Sequence, residues 1–120
     1  MKLKILIAED DGFNALLLQK ILKGFCKEFL VAKSGKQAMD LLAKNKDVDL
    51  VVTDIEMPEM NGFELLNEIR QKNKKIPVIA QTSIAQNIHK RLFLLMGFTG
   101  FLAKPIIRED LVDLVSRIAC

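Results

Sequence analysis

The sequence predicts an α/β fold, a doubly wound (βα)5 parallel sheet with strand order 2-1-3-4-5. Short apolar runs alternate five times with longer segments of helical periodicity along the 120 residues. Most of these runs are apolar at every position, which is typical of parallel strands covered by helices on both faces. Such alternation favours right-handed crossovers, and the predicted strand order is a common one for this architecture.

The elements follow in order along the chain. The apolar runs predict strands at Leu3–Ala8, Lys27–Ala32, Leu50–Thr53, Pro77–Gln81 and Thr99–Ala103. Apolar residues three and four positions apart predict helices at Phe13–Lys23, Gly35–Lys44, Gly62–Lys72, Ile84–Met96 and Glu109–Ala119. Ser34 is a predicted N-cap and Gly97 a predicted helix end. We expect one domain over residues 1–120.

Composition excludes several classes of protein. The net charge is +3 and the basic residues are scattered, whereas nucleic-acid binding requires a basic stripe on one face. The apolar runs are too short to cross a bilayer, and no signal-peptide pattern begins the sequence. The two cysteines have no metal-binding spacing. These features predict a cytoplasmic domain without direct nucleic-acid binding or membrane insertion.

Acidic residues follow two strands that the predicted order makes neighbours. Glu9, Asp10 and Asp11 come after the first strand, and Asp54 comes after the third. Ligand sites in such sheets lie at the carboxyl ends of the strands, so these carboxylates should converge there. Like charges this close need a counter-ion, and a hard cation with oxygen ligands, Mg²⁺, is the natural choice. The alternative is that the acidic residues only cap the next helix.

Two further side chains follow the fourth and fifth strands. Thr82 offers a hydroxyl, and Lys104 directly precedes Pro105, so it should be held extended with its ammonium over the acidic cluster. The set predicts phosphoryl transfer, with Asp54 as the nucleophile. Lys104 and Mg²⁺ would neutralise the transferring group, and Thr82 would donate a hydrogen bond.

Four motifs in this order resemble a known family over essentially the whole chain. They are residues 5–11 (ILIAEDD), 54–62 (DIEMPEMNG), 81–83 (QTS) and 101–105 (FLAKP). The chain resembles the response regulator receiver domains of two-component phosphorelay signalling, which have a flavodoxin-like fold. The resemblance implies an Asp54 that takes a phosphoryl group from the phosphohistidine of a histidine kinase or histidine phosphotransfer protein.

The same resemblance implies a role for each site residue. Asp10 and Asp54 would bind Mg²⁺ through their carboxylates, Glu56 through its backbone carbonyl, and Glu9 through metal-bound water. Asp11 would cap the first helix. Beyond Mg²⁺-dependent self-phosphorylation and autodephosphorylation, the isolated domain would not be an enzyme.

The resemblance also implies a switch and an output surface. Thr82 and Phe101 occupy the switch positions, and the face formed by helix 4, strand 5 and helix 5 is where receivers dimerise or dock. The five consecutive apolar residues 92–96 cannot all face the sheet. Either a neighbouring loop or the last helix covers the remainder, or it forms an exposed patch, in which a charge at Phe93 or Leu94 would weaken a contact without unfolding the domain. Ser83 and Glu56 depart from the usual pattern beside Asp54.

Several alternatives remain open. A haloacid dehalogenase-type phosphatase would need a second Asp where Glu56 stands, and a flavodoxin-like electron carrier would need a glycine- and hydroxyl-rich phosphate loop where Glu9–Asp11 stand. His89, the only histidine, is interpreted as a helix-surface residue rather than a phosphorylated one. The domain could be a stand-alone relay protein or part of a hybrid histidine kinase or larger regulator; Asn14 and residues 98–106 resemble receivers of hybrid kinases.

Overall fold

The computed structural model describes residues 2–83 and 90–119. Its strands are β1 Leu3–Ala8, β2 Cys26–Ala32, β3 Leu50–Asp54, β4 Val78–Thr82 and β5 Gly100–Ala103. Its α-helices are α1 Gly12–Leu22, α2 Gly35–Lys44, α3 Gly62–Lys72, α4 Lys90–Met96 and α5 Arg108–Ala119, and a short 3-10 helix, Lys23–Phe25, follows α1.

The strands form one parallel sheet in the order β2-β1-β3-β4-β5. The predicted fold class and strand order are therefore confirmed. The register pairs Ala8 with Thr53 and Asp54 with Gln81, and Thr82 with Ala103. The carboxyl ends of four strands thus lie side by side at one edge of the sheet.

Element boundaries differ from the predicted ones by a few residues, for local reasons. Strand β3 extends to Asp54 because that residue still pairs with Gln81, and the next amide, Ile55 N, donates to the Gln81 carbonyl. Helix α1 begins at Gly12 because the Asp11 side chain caps it, accepting from Phe13 N and Asn14 N. Ser34 caps α2 as predicted. The first part of the predicted fourth helix, residues 84–89, lies outside the described residues.

The core has two apolar layers, one on each face of the sheet. Alternate residues of β1 supply them: Leu6 and Ala8 pack toward α2 and α3, whereas Ile5 and Ile7 pack toward α1 and α5. All four side chains are fully buried. This double burial explains why the strand sequences are apolar at successive positions rather than at alternate ones.

Helix α4 carries the predicted apolar excess, with one correction. Leu92, Leu94, Leu95 and Met96 are 43–77% exposed, but Phe93 is completely buried and belongs to the layer beneath α2, α3 and α4. The expectation that Phe93 could carry a charge without unfolding the domain is therefore wrong. It occupies the narrow stripe of this helix that faces the sheet, and Leu94 does not.

At the end of the sheet opposite the acidic cluster, a lysine of β1 contacts β2 and the loop that precedes β3. Lys4 Nζ lies 3.0 Å from Asp47, 3.1 Å from the Asn45 side-chain oxygen and 3.5 Å from Glu28. The Lys4 backbone amide donates to the Asp49 carboxylate at 2.8 Å. Lys4 is 6% exposed, although its acidic partners reach into solvent.

Across residues 2–83 and 90–119, no helix combines the length and the apolar character needed to cross a membrane.

Candidate functional site

Three carboxylates meet at the carboxyl ends of β1 and β3. Glu9, Asp10 and Asp54 each offer one oxygen, and these oxygens lie within 4.8 Å of one another. Glu9 and Asp54 are only 1% and 4% exposed, whereas Asp10 is exposed. The expected convergence of strand-end carboxylates is observed. Asp11 points its carboxylate into the first turn of α1 as a cap instead, as predicted for it.

Lys104 reaches this cluster from the end of β5. Its Nζ lies 2.7 Å from Asp54 Oδ2 and 3.6 Å from Glu9 Oε1. Its backbone amide donates to the Thr82 carbonyl at 3.0 Å, which anchors the segment to β4. The Lys104–Pro105 peptide bond is cis. Partial burial acts to lower the pKa of Lys104, but the hydrogen bond to Asp54 and the charges of Glu9 and Asp54 outweigh it and raise that pKa.

Glu9 is held by several donors inside the molecule. Gln81 Nε2 donates to Glu9 Oε1 at 2.9 Å, Asn14 Nδ2 donates to the same oxygen, and the Asp11 amide donates to Oε2 at 3.1 Å. Burial raises the pKa of the Glu9 carboxyl, and the hydrogen bonds from Asn14 and Asp11 only partly oppose this. The sequence analysis did not predict the hydrogen bond from Gln81 to Glu9. A polar side chain in an otherwise apolar strand was the feature that could have indicated it.

A tight loop follows Asp54 and returns the chain to the start of α3. Gly62 N donates to the Ile55 carbonyl at 2.8 Å, and a Cβ at Gly62 would lie 2.5 Å from the Asp54 carbonyl oxygen. Only glycine fits this approach of two backbone segments. Asn61 and Glu64 then form a capping box that begins α3. The loop therefore fixes the backbone beside Asp54.

Glu56 and Ser83 contact each other beside Asp54. Ser83 Oγ lies 3.2 Å from Glu56 Oε1, and the Glu56 backbone amide donates to Asp54 Oδ1 at 3.2 Å. The Glu56 side chain is exposed. It borders a shallow cleft that also includes Asp10 and Met57. A fourth carboxylate thus shares this cleft with Asp10, on the residue whose backbone amide contacts Asp54.

Thr82 is the last residue of β4, and Phe101 lies within β5. Thr82 is fully buried. The Phe101 ring is partly buried and stacks on Phe93 of α4, with ring centres 4.6 Å apart. Phe63 and Phe98 also contact the Phe93 ring. His89 lies outside the described residues.

The donor set fits a hard divalent cation. Three carboxylates share the site with one ammonium group, so the acidic groups outnumber the basic one. Its donors are all oxygens, and one of them, on Asp10, is open to solvent. Oxygen-only sites of this kind, with room for retained waters, suit Mg²⁺. The cluster is compatible with Mg²⁺ at Glu9, Asp10 and Asp54.

Comparison with known proteins gives a consistent result. The family model of the response regulator receiver domain matches residues 5–116. The chain is 33% identical over 118 residues to the two-component response regulator ORR11 of rice, covering 95% of this chain and 79% of that protein. It is 34% identical to a segment of the sensor protein EvgS of Escherichia coli, covering 98% of this chain and 10% of that protein.

Solved structures agree. A response regulator from Chloroflexus aurantiacus superposes with a TM-score of 0.88 at 29% identity, over 99% of this chain and 98% of that one. A structure of the receiver domain of yeast Ssk1 together with the histidine phosphotransfer protein Ypd1 is also similar. The match has a TM-score of 0.86 at 25% identity and covers 99% of this chain and 90% of that one. The fold, the strand-end acidic cluster and the family match together lead to one conclusion: this chain belongs to the response regulator receiver domain family of two-component signalling.

Proposed function

We propose that Asp54 accepts a phosphoryl group from the phosphohistidine of a histidine kinase or a histidine phosphotransfer protein. The observation that carries this proposal is the environment of the Asp54 carboxylate. It is almost fully buried, and both of its oxygens are held, one by Lys104 Nζ at 2.7 Å and the other by the Glu56 amide at 3.2 Å. A carboxylate fixed in this way is oriented for attack before a donor arrives.

The chemical step is a displacement at phosphorus. An Asp54 carboxylate oxygen forms the new O–P bond while the P–N bond of the phosphohistidine breaks, and the departing imidazole keeps the electron pair and takes up a proton. Lys104 is placed to neutralise the phosphoryl oxygens, and the Thr82 hydroxyl would donate to one of them. These are contributions of positioning and charge, the main ones in phosphoryl transfer.

The proposed metal is Mg²⁺. We assign Asp10 and Asp54 as carboxylate ligands, Glu56 as a carbonyl ligand, and Glu9 as a residue that acts through metal-bound water. When bound, Mg²⁺ would supply the positive charge that phosphoryl oxygens and carboxylates need to approach one another.

The rim of the site supports a protein donor rather than a small one alone. Phe13 and Leu16 in the first turns of α1 are 78% and 51% exposed, and Ile107, three residues after Lys104, is 55% exposed. Exposed apolar side chains beside a buried charged centre favour a transient protein contact. The relative Ssk1 was solved with a histidine phosphotransfer protein, which supports a partner of that kind here.

We further propose that phosphorylation changes the face formed by α4, β5 and α5, and that residues 1–120 act as one receiver domain. Phe101 of β5 stacks on Phe93 of α4. A movement of Phe101 toward Thr82 would therefore change the packing of α4 on β5. The exposed side chains of Leu92, Leu94, Leu95 and Met96 could serve a homodimer or another partner on this face. The balance between two packings would shift because only the phosphorylated state makes the new contacts.

The test of the phosphoacceptor is Asp54→Asn with acetyl phosphate as donor. Wild type should gain one phosphoryl group by intact mass in the presence of Mg²⁺ and none in EDTA, and Asp54→Asn should gain none. Asp40→Asn, on the exposed side of α2, is the matched control and should behave as wild type. Normal labelling of Asp54→Asn, or labelling that ignores EDTA, would contradict the assignment.

The switch has its own test in Thr82→Ala. This variant should accept the phosphoryl mimic beryllofluoride but show smaller amide NMR shifts around Phe101 and α4 than wild type. Equal shifts in the two proteins would argue against coupling through Thr82.

A further inference from the structure

Gln81 is a polar residue buried in an otherwise apolar strand. Its side chain is completely inaccessible, as are those of Val78, Ile79 and Ala80 before it in β4. Because side chains alternate along a strand, Gln81 lies on the same face as Ile79, toward α1 and α5. A primary amide at such a position is costly unless hydrogen bonds satisfy it, so its partners indicate why it is there.

Those partners form a closed set of contacts around Glu9. Gln81 Nε2 donates to Glu9 Oε1 at 2.9 Å, and Gln81 Oε1 accepts from Asn14 Nδ2 at 3.3 Å. Asn14 Nδ2 donates to Glu9 Oε1 as well. Two elements, β4 and α1, thereby hold the carboxylate that follows β1. Every buried side-chain nitrogen and oxygen of the described residues has a partner, so the arrangement is complete.

We propose that Gln81, together with Asn14, is a positioning residue that sets the Mg²⁺ affinity of the site by fixing the Glu9 carboxylate beside Asp10 and Asp54. This inference rests on the proposed Mg²⁺-dependent function. Gln81 touches neither the metal nor the phosphoryl group. A Glu side chain has three rotatable bonds, and the two amides remove that freedom before a cation arrives. Partners that orient groups around a metal govern its affinity in this way.

The experiment compares Gln81→Leu with Ile79→Val in the full chain. Leucine is close in size to glutamine and suits a buried strand, whereas Ile79→Val removes a methyl group on the same strand and face without touching Glu9. Mg²⁺ affinity is measured by calorimetry or NMR titration, and phosphorylation by acetyl phosphate is followed as a function of Mg²⁺ concentration. Gln81→Leu should weaken Mg²⁺ binding about tenfold, with a labelling rate at saturating Mg²⁺ within about twofold of wild type.

Ile79→Val should leave the Mg²⁺ affinity unchanged even if its melting temperature falls. A second comparison introduces Gln81→Leu into a Glu9→Gln background. If Gln81 acts through Glu9, the substitution should change Mg²⁺ affinity there by less than about twofold, because effects on one shared group are not additive. An equal loss in both backgrounds would overturn the inference.

The outcomes separate this inference from the proposed function. If wild type is labelled at Asp54 and Gln81→Leu binds Mg²⁺ as well as wild type does, the positioning role is wrong and the proposed function stands. If wild type neither binds Mg²⁺ nor is labelled, both fail. Should Gln81→Leu not fold, the wild-type side-chain amide resonances of Gln81 decide: protection from exchange and a shift on Mg²⁺ addition support the role, and their absence overturns it.

Discussion

Two lysines bind carboxylates at opposite ends of the sheet, in different surroundings. Lys4, at the start of β1, contacts Asp47 and Glu28, whose side chains are 67% and 55% exposed. Lys104, after β5, contacts Asp54 and Glu9, whose side chains are 5% and 1% exposed. At the first end water solvates the acidic partners, and the lysine is the buried member. At the second end the two carboxylates are the buried members, and the lysine side chain is 29% exposed.

We interpret this difference as one between a structural ion pair and an ion pair at the proposed phosphoryl-transfer site. Exposed partners of Lys4 need no further cation, so this end of the sheet is electrostatically complete. The pKa of Lys4 is raised, mainly by its hydrogen bond to Asp47. Buried carboxylates around Lys104 lack the water that would otherwise solvate them, and they remain short of positive charge. The ion pairs of Lys4 are therefore expected to stabilise the fold. The buried carboxylates near Lys104 are expected to cost folding free energy at the proposed site.

Replacing each lysine by methionine should separate the two ends most strongly. Lys104→Met should slow labelling of Asp54 by acetyl phosphate by about 100-fold, the usual loss when one charge-stabilising donor is removed. Lys4→Met should label within about twofold of wild type, because its ammonium lies at the far end of the sheet. Intact-mass time courses at saturating Mg²⁺ measure both. Comparable losses in two folded variants would break the comparison.

Glu56 offers a further comparison at the Lys104 end of the sheet. The side-chain partner of its carboxylate is the Ser83 hydroxyl rather than a lysine. Its carboxylate contacts Ser83 Oγ, and we expect it to accept a hydrogen bond from the water that would hydrolyse the proposed acyl phosphate. Glu56→Ala should lengthen the phosphoryl lifetime about three- to tenfold, equivalent to roughly 0.7–1.4 kcal/mol of barrier.

Mg²⁺ affinity should stay within about twofold in Glu56→Ala, because the proposed ligand there is a backbone carbonyl. Ser83→Ala should give a smaller change in lifetime, since it frees the same carboxylate without removing it. Decay of the labelled species by intact mass measures both variants. An unchanged lifetime in Glu56→Ala would mean that its carboxylate plays no part in hydrolysis.

Removing one carboxylate should have opposite effects on stability at the two ends. Burial raises the pKa of Glu9, so keeping Glu9 ionised at pH 7 costs folding free energy. In EDTA, the sign of this cost predicts that Glu9→Gln raises the melting temperature, provided the glutamine amide keeps the donors that now contact Glu9. The hydrogen bond from Lys4 lowers the pKa of Asp47, so Asp47→Asn should lower the melting temperature slightly.

The Asp47 effect has a defined pH range. Because the folded-state pKa lies below the unfolded one, its contribution is present above the unfolded value, near 4, and is lost as pH falls through the folded value. The gap in melting temperature between wild type and Asp47→Asn should therefore close as pH falls below about 4. Thermal melts at several pH values measure it. A gap that persists in acid would show that the loss is one of packing.

The architecture was predictable from the sequence because apolar runs and helical periodicity both report burial directly. Because sites in such sheets lie at the carboxyl ends of the strands, the sequence also predicted that Glu9, Asp10, Asp54 and Lys104 would lie close together. What could not be predicted depended on three-dimensional neighbours. The roles of Gln81 and Asn14 exist only where β4 and α1 approach Glu9.

Helix α4 shows the same limit. Five consecutive apolar residues predicted that some would be exposed, but their sequence alone could not say which one faces the sheet. The answer, Phe93, depends on the rings of Phe63, Phe98 and Phe101 that surround it. The contact between Ser83 and Glu56 was likewise hidden, because the two residues are 27 positions apart.

The stack of rings around Phe93 has a consequence for the timescale of motion in this domain. Phe93 is fully enclosed, with the Phe101 ring 4.6 Å away on one side and the Phe63 ring 6.0 Å away. A half-turn of the Phe93 ring sweeps out space that its neighbours occupy, so it must wait for α4, α3 and β5 to move apart briefly. We therefore expect Phe93 ring flips on the microsecond-to-millisecond timescale of collective motions rather than on the nanosecond timescale of exposed side chains. The flip rate of the Phe93 ring would therefore measure how often α4, α3 and β5 move apart.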